Sequence, residues 1–292
     1  MKDLINVLLL GIIEGLTEFL PVSSTGHLIL AERFIRLYPE SFANAFMIII
    51  QLGAILAVVV MYFEKLNPFS TKKMMRKVDM SDYPNLTLKE KLNFRIKYLN
   101  KATLRLWIIV VIGFLPAMVL GLLFDDLIDK YLFSPYTVAI MLIVWGIIII
   151  VVEKYIKRPV KAENVFRIGP KQALKIGFFQ CMAMVPGTSR SAATIIGGML
   201  TGANRTAASE FSFFLAIPTM LGATVLKIIK LGADFTLYQW GLILFGSVIS
   251  YIAARLVVAR FMRYIKSHSF APFGIYRIIL GFVSLLFLLR KG

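Results

Sequence analysis

Cysteine is almost missing from this chain. The one residue present, Cys181, excludes an intramolecular disulfide and offers no thiolate metal site, so it reads as a small packing residue. Acids are scarce, with 16 Asp and Glu against 33 Lys and Arg, and histidine occurs only at positions 27 and 268. His268 falls in a basic stretch and reads as solvated. No Walker-type phosphate loop is present, which argues against nucleotide hydrolysis. Polar sequence of any kind is thin: 58% of the 292 residues are hydrophobic, and the mean hydropathy is +0.77.

The apolar sequence falls into runs that suit a bilayer, where a helical span needs about 20 residues. Six qualify: Ala43–Phe63, Leu106–Phe124, Pro135–Val152, Phe211–Leu231, Trp240–Val258 and Pro272–Leu289. Six such runs cannot all be buried in one soluble core of 32.9 kDa. Two more runs, Leu4–Leu20 and Ile176–Leu200, are interrupted by proline and hydroxyl clusters. Leu4–Leu20 comes after Lys2 in the manner of a signal peptide. Glu14 and Glu18 interrupt it and no small-residue cleavage site appears, so it is read as part of the mature fold.

The net charge of +17 would suggest nucleic acid in a soluble protein. Here eighteen of the 33 basic residues lie in two stretches, Glu64–Arg105 and Glu153–Lys175. That clustering matches cytoplasmic loops beside anionic headgroups, and no nucleic-acid partner is expected. Placing both loops inside makes 106–124 and 135–152 a hairpin with an acidic outer turn at Asp125, Asp126 and Asp129. The span 43–63 then runs inward, 211–231 outward and 240–258 inward, and the last span ends outside.

The interrupted runs resemble each other. "GIIEGLTEFLPVSST" at 11–25 pairs with "GFFQCMAMVPGTSRS" at 177–191, and each leads into an apolar span containing Leu-Gly-Ala. Each half then has three full spans and one broken segment, and an odd number puts the halves in opposite orientations. The expected fold is therefore an all-α polytopic membrane protein with inverted-topology repeats, six transmembrane helices and two re-entrant helix-turn-helix hairpins. It is one integral-membrane domain over 1–292. Its first repeat covers about 1–158 with the basic cytoplasmic insert 64–105, and its second about 165–292.

The chemistry sits in the breaks. Glu14 and Glu18 are spaced i, i+4, so both carboxylates share a helix face about 6 Å apart. Ionised acids at membrane depth need compensation from a divalent cation, an arginine or a shared proton. Beyond Pro21, the hydroxyls of Ser23, Ser24 and Thr25 are expected to cap a helix starting near Gly26–His27, and a helix start with hydroxyls suits phosphate oxygens. The second break repeats the device with Thr188, Ser189 and Ser191 and adds Arg190, which can hold a phosphate bidentately. His27 lies one turn beyond Ser24, the minimal spacing for a nucleophile and its base. Carboxylates, a nucleophile, a base, an arginine and two helix starts meet the needs of phosphoryl transfer. At membrane depth, the phosphate would be carried on a lipid.

At "EGLTEFLPVSSTGH" (14–27) and "PGTSRS" (186–191) the sequence resembles the bacitracin-resistance family of undecaprenyl pyrophosphate phosphatases. "QLGAILAVV" at 51–59 and "ANRTAASEFSFFLAIP" at 203–218 are similar as well, so the resemblance spans the chain. It implies hydrolysis of undecaprenyl diphosphate to the monophosphate and inorganic phosphate, which recycles the carrier for peptidoglycan synthesis and confers bacitracin resistance. It also implies a Mg²⁺ or Ca²⁺ ion and a site in the bacterial plasma membrane opening to the outer face. Carried onto this chain, Glu14 and Glu18 would hold the metal or position water. Ser24 would be the nucleophile and His27 acid or base, while Thr25, Ser189 and Arg190 would grip the diphosphate. Expected partners are that lipid substrate and the surrounding membrane lipids, with a homodimer left open. The rival reading is a transporter or lipid flippase, because inverted repeats with broken helices are also a transporter's architecture.

Overall fold

In hydrocarbon every backbone N–H and C=O must find its partner within the protein, and the helix does this within one segment. The apolar runs accordingly become helices. The computed structural model describes residues 2–290 apart from 33, 71–86, 133, 156–157 and 232–234. In chain order the helices are α1 Lys2–Thr17, α2 Ser24–Ala31, α3 Glu40–Met61, α4 Phe63–Leu66, α5 Leu88–Lys97 and α6 Lys101–Leu132. They continue as α7 Pro135–Tyr155, α8 Pro170–Cys181, α9 Arg190–Leu200, α10 Arg205–Leu231, α11 Leu237–Tyr264 and α12 Ala271–Leu289. Among the described residues there is no strand, only an isolated bridge between Ala162 and Ala203.

Six helices, α3, α6, α7, α10, α11 and α12, are long and apolar enough to cross a membrane, matching the six expected runs. Their outward faces carry exposed Ile108, Leu122, Leu244, Ile279 and Val283, a surface that suits lipid and not water. The protein is a polytopic all-α membrane protein. One expectation changes: helix α6 continues to Leu132, so Asp125, Asp126 and Asp129 lie in its last turns and not in a turn between spans. Their side chains lie outside the described residues. So does 71–86 of the basic insert, whose described part includes α5, opened by a reciprocal Thr87–Glu90 capping box.

Two short helix pairs are wedged among the six. The first leg of each pair packs on a long helix of the opposite half of the chain: α1 lies against α11, and α8 lies against α6. Glycines set both approaches. A Cβ on Gly15 would fall 2.4 Å from the Ser250 carbonyl oxygen, and one on Gly177 would fall 2.3 Å from that of Gly113. Helices α7 and α12, the last spans of the two halves, pair with each other. The main hydrophobic core is rich in rings, with Phe19, Phe211, Phe213, Phe214, Phe270 and Trp145 all buried.

Candidate active site

The site is built where α1 gives way to α2 and α8 gives way to α9. Helix α1 stops at Thr17, four residues before Pro21, and residues 18–22 form turns. Ser23 caps α2 by accepting from the Gly26 N–H at 3.2 Å. At the second break a short 3₁₀ turn, Met182–Met184, leads to Gly187 and then to Ser189. That serine caps α9 by accepting from the Ala192 N–H at 3.2 Å. Both capping serines lie in the left-handed region, with φ 73° at Ser23 and 75° at Ser189. Such a conformation costs a residue with a Cβ about 1–2 kcal/mol. The same strained turn is thus used twice, and residues held this way cluster at functional sites.

Each turn aims the residue after it. Ser24 opens α2 and Arg190 opens α9, each directly after its strained serine. Both side chains reach Glu18: the Ser24 hydroxyl donates to Oε2, and Nη2 of Arg190 donates to Oε1 at 2.9 Å. Nη1 of Arg190 donates to the Ser212 carbonyl at 2.9 Å, and the guanidinium lies 5.8 Å from the centre of the Phe19 ring. Two N–H groups of five are thereby used, leaving three for an anion. The pair is enclosed, with side-chain exposures of 12% for Arg190 and 7% for Glu18, so little water screens it.

Glu14 lies one turn before Glu18, is fully buried, and neither of its oxygens has a hydrogen-bond partner among the described residues. A buried carboxylate without a partner is costly. Beside a second carboxylate it supplies the hard oxygen donors that Mg²⁺ or Ca²⁺ takes together with phosphate oxygens and water, so the residues fit such an ion. No cluster of three or more His, Cys, Asp or Glu occurs among the described residues, so any such ion would draw on other oxygens. Thr188 is the counterpart at the second break, buried with an unpartnered hydroxyl.

Three expectations are revised by this geometry. The row Ser23, Ser24 and Thr25 does not cap as a group: Ser23 alone is the cap, and the helix begins at Ser24, ahead of the expected Gly26–His27. The hydroxyl of Ser191 donates across to the Leu20 carbonyl at 2.7 Å and so joins the breaks, and it stands 3.0 Å from that of Ser189, the cap of α9. The Ser24–His27 pair is not formed. Nδ1 of His27 lies 2.7 Å from the Ser23 carbonyl oxygen and Nε2 lies 2.6 Å from the Tyr276 hydroxyl, while Ser24 turns to Glu18. Thr25 is half-buried on the first turn of α2. His268 is exposed, as expected, and stacks on Tyr264.

Sequence reasoning missed Arg277. It is fully buried in α12, and its described partners are all backbone carbonyls. Nη1 donates to Pro21 at 3.2 Å; Nη2 donates to Gly187 at 2.7 Å, Thr188 at 3.0 Å and Met141 at 3.3 Å; Nε donates to Leu142 at 3.4 Å. One guanidinium therefore satisfies carbonyls from both breaks and from α7. The signal was available: a lone arginine inside an apolar run is a functional candidate by default.

These features define a class: a polytopic membrane protein whose buried ionic site is shared between two helix breaks. The chain belongs to the family described as bacitracin resistance protein BacA, whose model matches residues 7–283 and so takes in both breaks. Its similar relatives include undecaprenyl-diphosphatase 1 of Clostridioides difficile strain 630, 47% identical over 286 residues that cover 98% of this chain and 96% of that one. The undecaprenyl-diphosphatase of Fusobacterium nucleatum is 47% identical over 289 residues, covering 97% and 99%. That of Enterococcus faecalis is 43% identical over 286 residues, covering 97% and 96%.

Proposed function

We propose that this chain is an undecaprenyl-diphosphatase, a membrane hydrolase that cleaves undecaprenyl diphosphate to undecaprenyl phosphate and inorganic phosphate. This recycles the lipid carrier for peptidoglycan synthesis and gives resistance to bacitracin. The family and the relatives' names support the activity. The observation that carries it is the chain Ser24–Glu18–Arg190, which sets a hydroxyl, a proton acceptor and a cation in one line across the two breaks.

The terminal phosphate of the substrate lies over the start of α2, within reach of Thr25 and Thr188. Ser24 Oγ attacks the terminal phosphorus and gives its proton to Glu18. The bond from that phosphorus to the bridging oxygen breaks, and undecaprenyl phosphate leaves with the electron pair. Arg190 holds the charge that spreads over the phosphoryl oxygens, an interaction strongest in the transition state. Water then attacks the phosphoserine phosphorus, the bond from phosphorus to Ser24 Oγ breaks, and Glu18 returns the proton it took to Oγ. Phosphate departs with the water's oxygen and protons, leaving Ser24 and Glu18 restored. Glu14 and Glu18 would hold the divalent cation, which when bound supplies further charge neutralisation on the diphosphate. Direct attack by water on the same phosphorus is the variant that leaves Ser24 unmodified.

The two halves, about 1–158 and 165–292, are then inverted repeats, and α1–α2 and α8–α9 are re-entrant hairpins. The paired strained turns at Ser23 and Ser189 and the crossed packing of α1 and α8 support it. The site opens to the outer face, as the family resemblance implies. A transporter reading is not favoured, since ion coupling has no use for a serine delivered onto a carboxylate. The test is phosphate release from undecaprenyl diphosphate by detergent-solubilised protein with added Mg²⁺ or Ca²⁺. A hydrolase releases phosphate without any gradient, and a transporter releases none.

A further inference from the structure

We propose that Tyr276 and His27 are a positioning pair that braces the Ser23 turn and so aims Ser24, and that His27 is not the proton acceptor for Ser24. The pair rests on the proposed hydrolysis, in which Ser24 attacks and Glu18 takes its proton.

What each atom can do decides the assignment. Nδ1 of His27 faces the Ser23 carbonyl oxygen at 2.7 Å. A carbonyl only accepts, so Nδ1 carries the hydrogen. In the neutral ring Nε2 is then an acceptor, and the Tyr276 hydroxyl at 2.6 Å is its donor. The two rings are close to parallel, with 7° between their planes and 5.7 Å between their centres. Both ring nitrogens are therefore committed, and Ser24 donates elsewhere.

What the ring holds is the strained point of the break. The Ser23 carbonyl accepts from Nδ1–H of His27 and also from the backbone N–H of His27 at 3.2 Å. Two donors from one residue fix the peptide that joins Ser23, at φ 73°, to Ser24. A strained conformation persists only where its surroundings over-determine it. The second break shows the same solution independently. There Arg277 donates to the Thr188 carbonyl at 3.0 Å, in the peptide that leads into Ser189 at φ 75°. Tyr276 and Arg277 are neighbours on α12, so one helix braces both turns, one directly and one through His27.

The test uses the full chain in detergent and reads phosphate release from undecaprenyl diphosphate for His27→Ala, His27→Asn and Tyr276→Phe. An asparagine amide can donate near the place of Nδ1 and cannot take up a proton at neutral pH. Positioning predicts that His27→Ala lowers kcat about 100-fold or more while His27→Asn recovers to within about tenfold of the wild type. It predicts that Tyr276→Phe lowers kcat about three- to tenfold, leaves KM within about twofold, and has no further effect once His27 is alanine. His27→Asn as inactive as His27→Ala, or a Tyr276→Phe effect of equal size without His27, overturns the pair. Should His27→Ala not fold, Tyr276→Phe decides alone, and an unchanged kcat overturns the proposal. Wild-type protein that releases no phosphate overturns the hydrolase reading and the pair with it.

Discussion

Glu18 and Arg190 stand 172 positions apart in the chain and meet at 2.9 Å. Neither break is complete alone. The first brings two carboxylates and a serine without a cation, and the second brings the cation without a carboxylate. Their union also answers the cost of burying each, because an ionised group at this depth is stable only when paired.

In the proposed mechanism the remaining N–H groups of Arg190 serve the substrate, and their pull on the phosphoryl oxygens grows as charge develops. Arg190→Ala is expected to lower kcat by about 10²–10³ with a smaller change in KM. Steady-state phosphate release gives both constants. A variant that raises KM alone would assign Arg190 to binding only.

Neither oxygen of Glu14 has a hydrogen-bond partner among the described residues, and in the proposed site both are offered to a metal. Glu14→Gln keeps the shape and removes the charge. Changing a group behind a metal ligand costs about 10–100-fold in metal affinity, and a direct ligand should cost no less. A titration of activity with Mg²⁺ or Ca²⁺ after chelation should show a half-maximal concentration raised by at least about tenfold. An unchanged titration would remove Glu14 from the proposed metal site.

Arg277 is expected to matter to stability before it matters to chemistry. Arg277→Met fills the space and leaves the carbonyls of Pro21, Gly187 and Thr188 without their donor. Buried acceptors left in this way cost about 1–3 kcal/mol each, so the melting temperature in detergent should fall clearly. Arg277→Lys should recover part of the loss. A variant as stable as the wild type would show that water replaces the guanidinium.

Gly177 tests the close approach of α8 to α6. A Cβ there would stand 2.3 Å from the Gly113 carbonyl oxygen, and backbone cannot yield as a flexible side chain does. Gly177→Ala should destabilise by about 1–3 kcal/mol, read as a lower melting temperature. The second break, resting on α8, should lose activity in proportion.

Much of this was legible in the sequence because hydrocarbon is a demanding solvent. Length and hydropathy alone locate the six spans, and charged residues in apolar context, Glu14, Glu18 and Arg190, stand out against it. The partners were less legible. Serine has no preference for positive φ, so nothing at Ser23 announces the turn that sends Ser24 to Glu18 and His27 to Tyr276. Tyr276 itself lies 249 positions from His27 and looks like an ordinary span residue. Arg277 is visible as a charge in an apolar run, but its partners are backbone carbonyls, which every residue possesses and no pattern marks. The end of α1 at Thr17 was hidden for a related reason, since Pro21 is the evident breaker and the turns begin before it.

The most direct test is whether Ser24 carries the phosphoryl group. Rapid acid quench of the enzyme with undecaprenyl diphosphate labelled in its terminal phosphate, and then peptide mapping, reads this in one experiment. The proposed mechanism predicts label on Ser24 in the wild type, more of it when the second step is slowed, and none in Ser24→Ala, which should also lose nearly all turnover. A Ser24→Ala enzyme that keeps most of its phosphate release, with no labelled serine in the wild type, would contradict it and assign the attack to water.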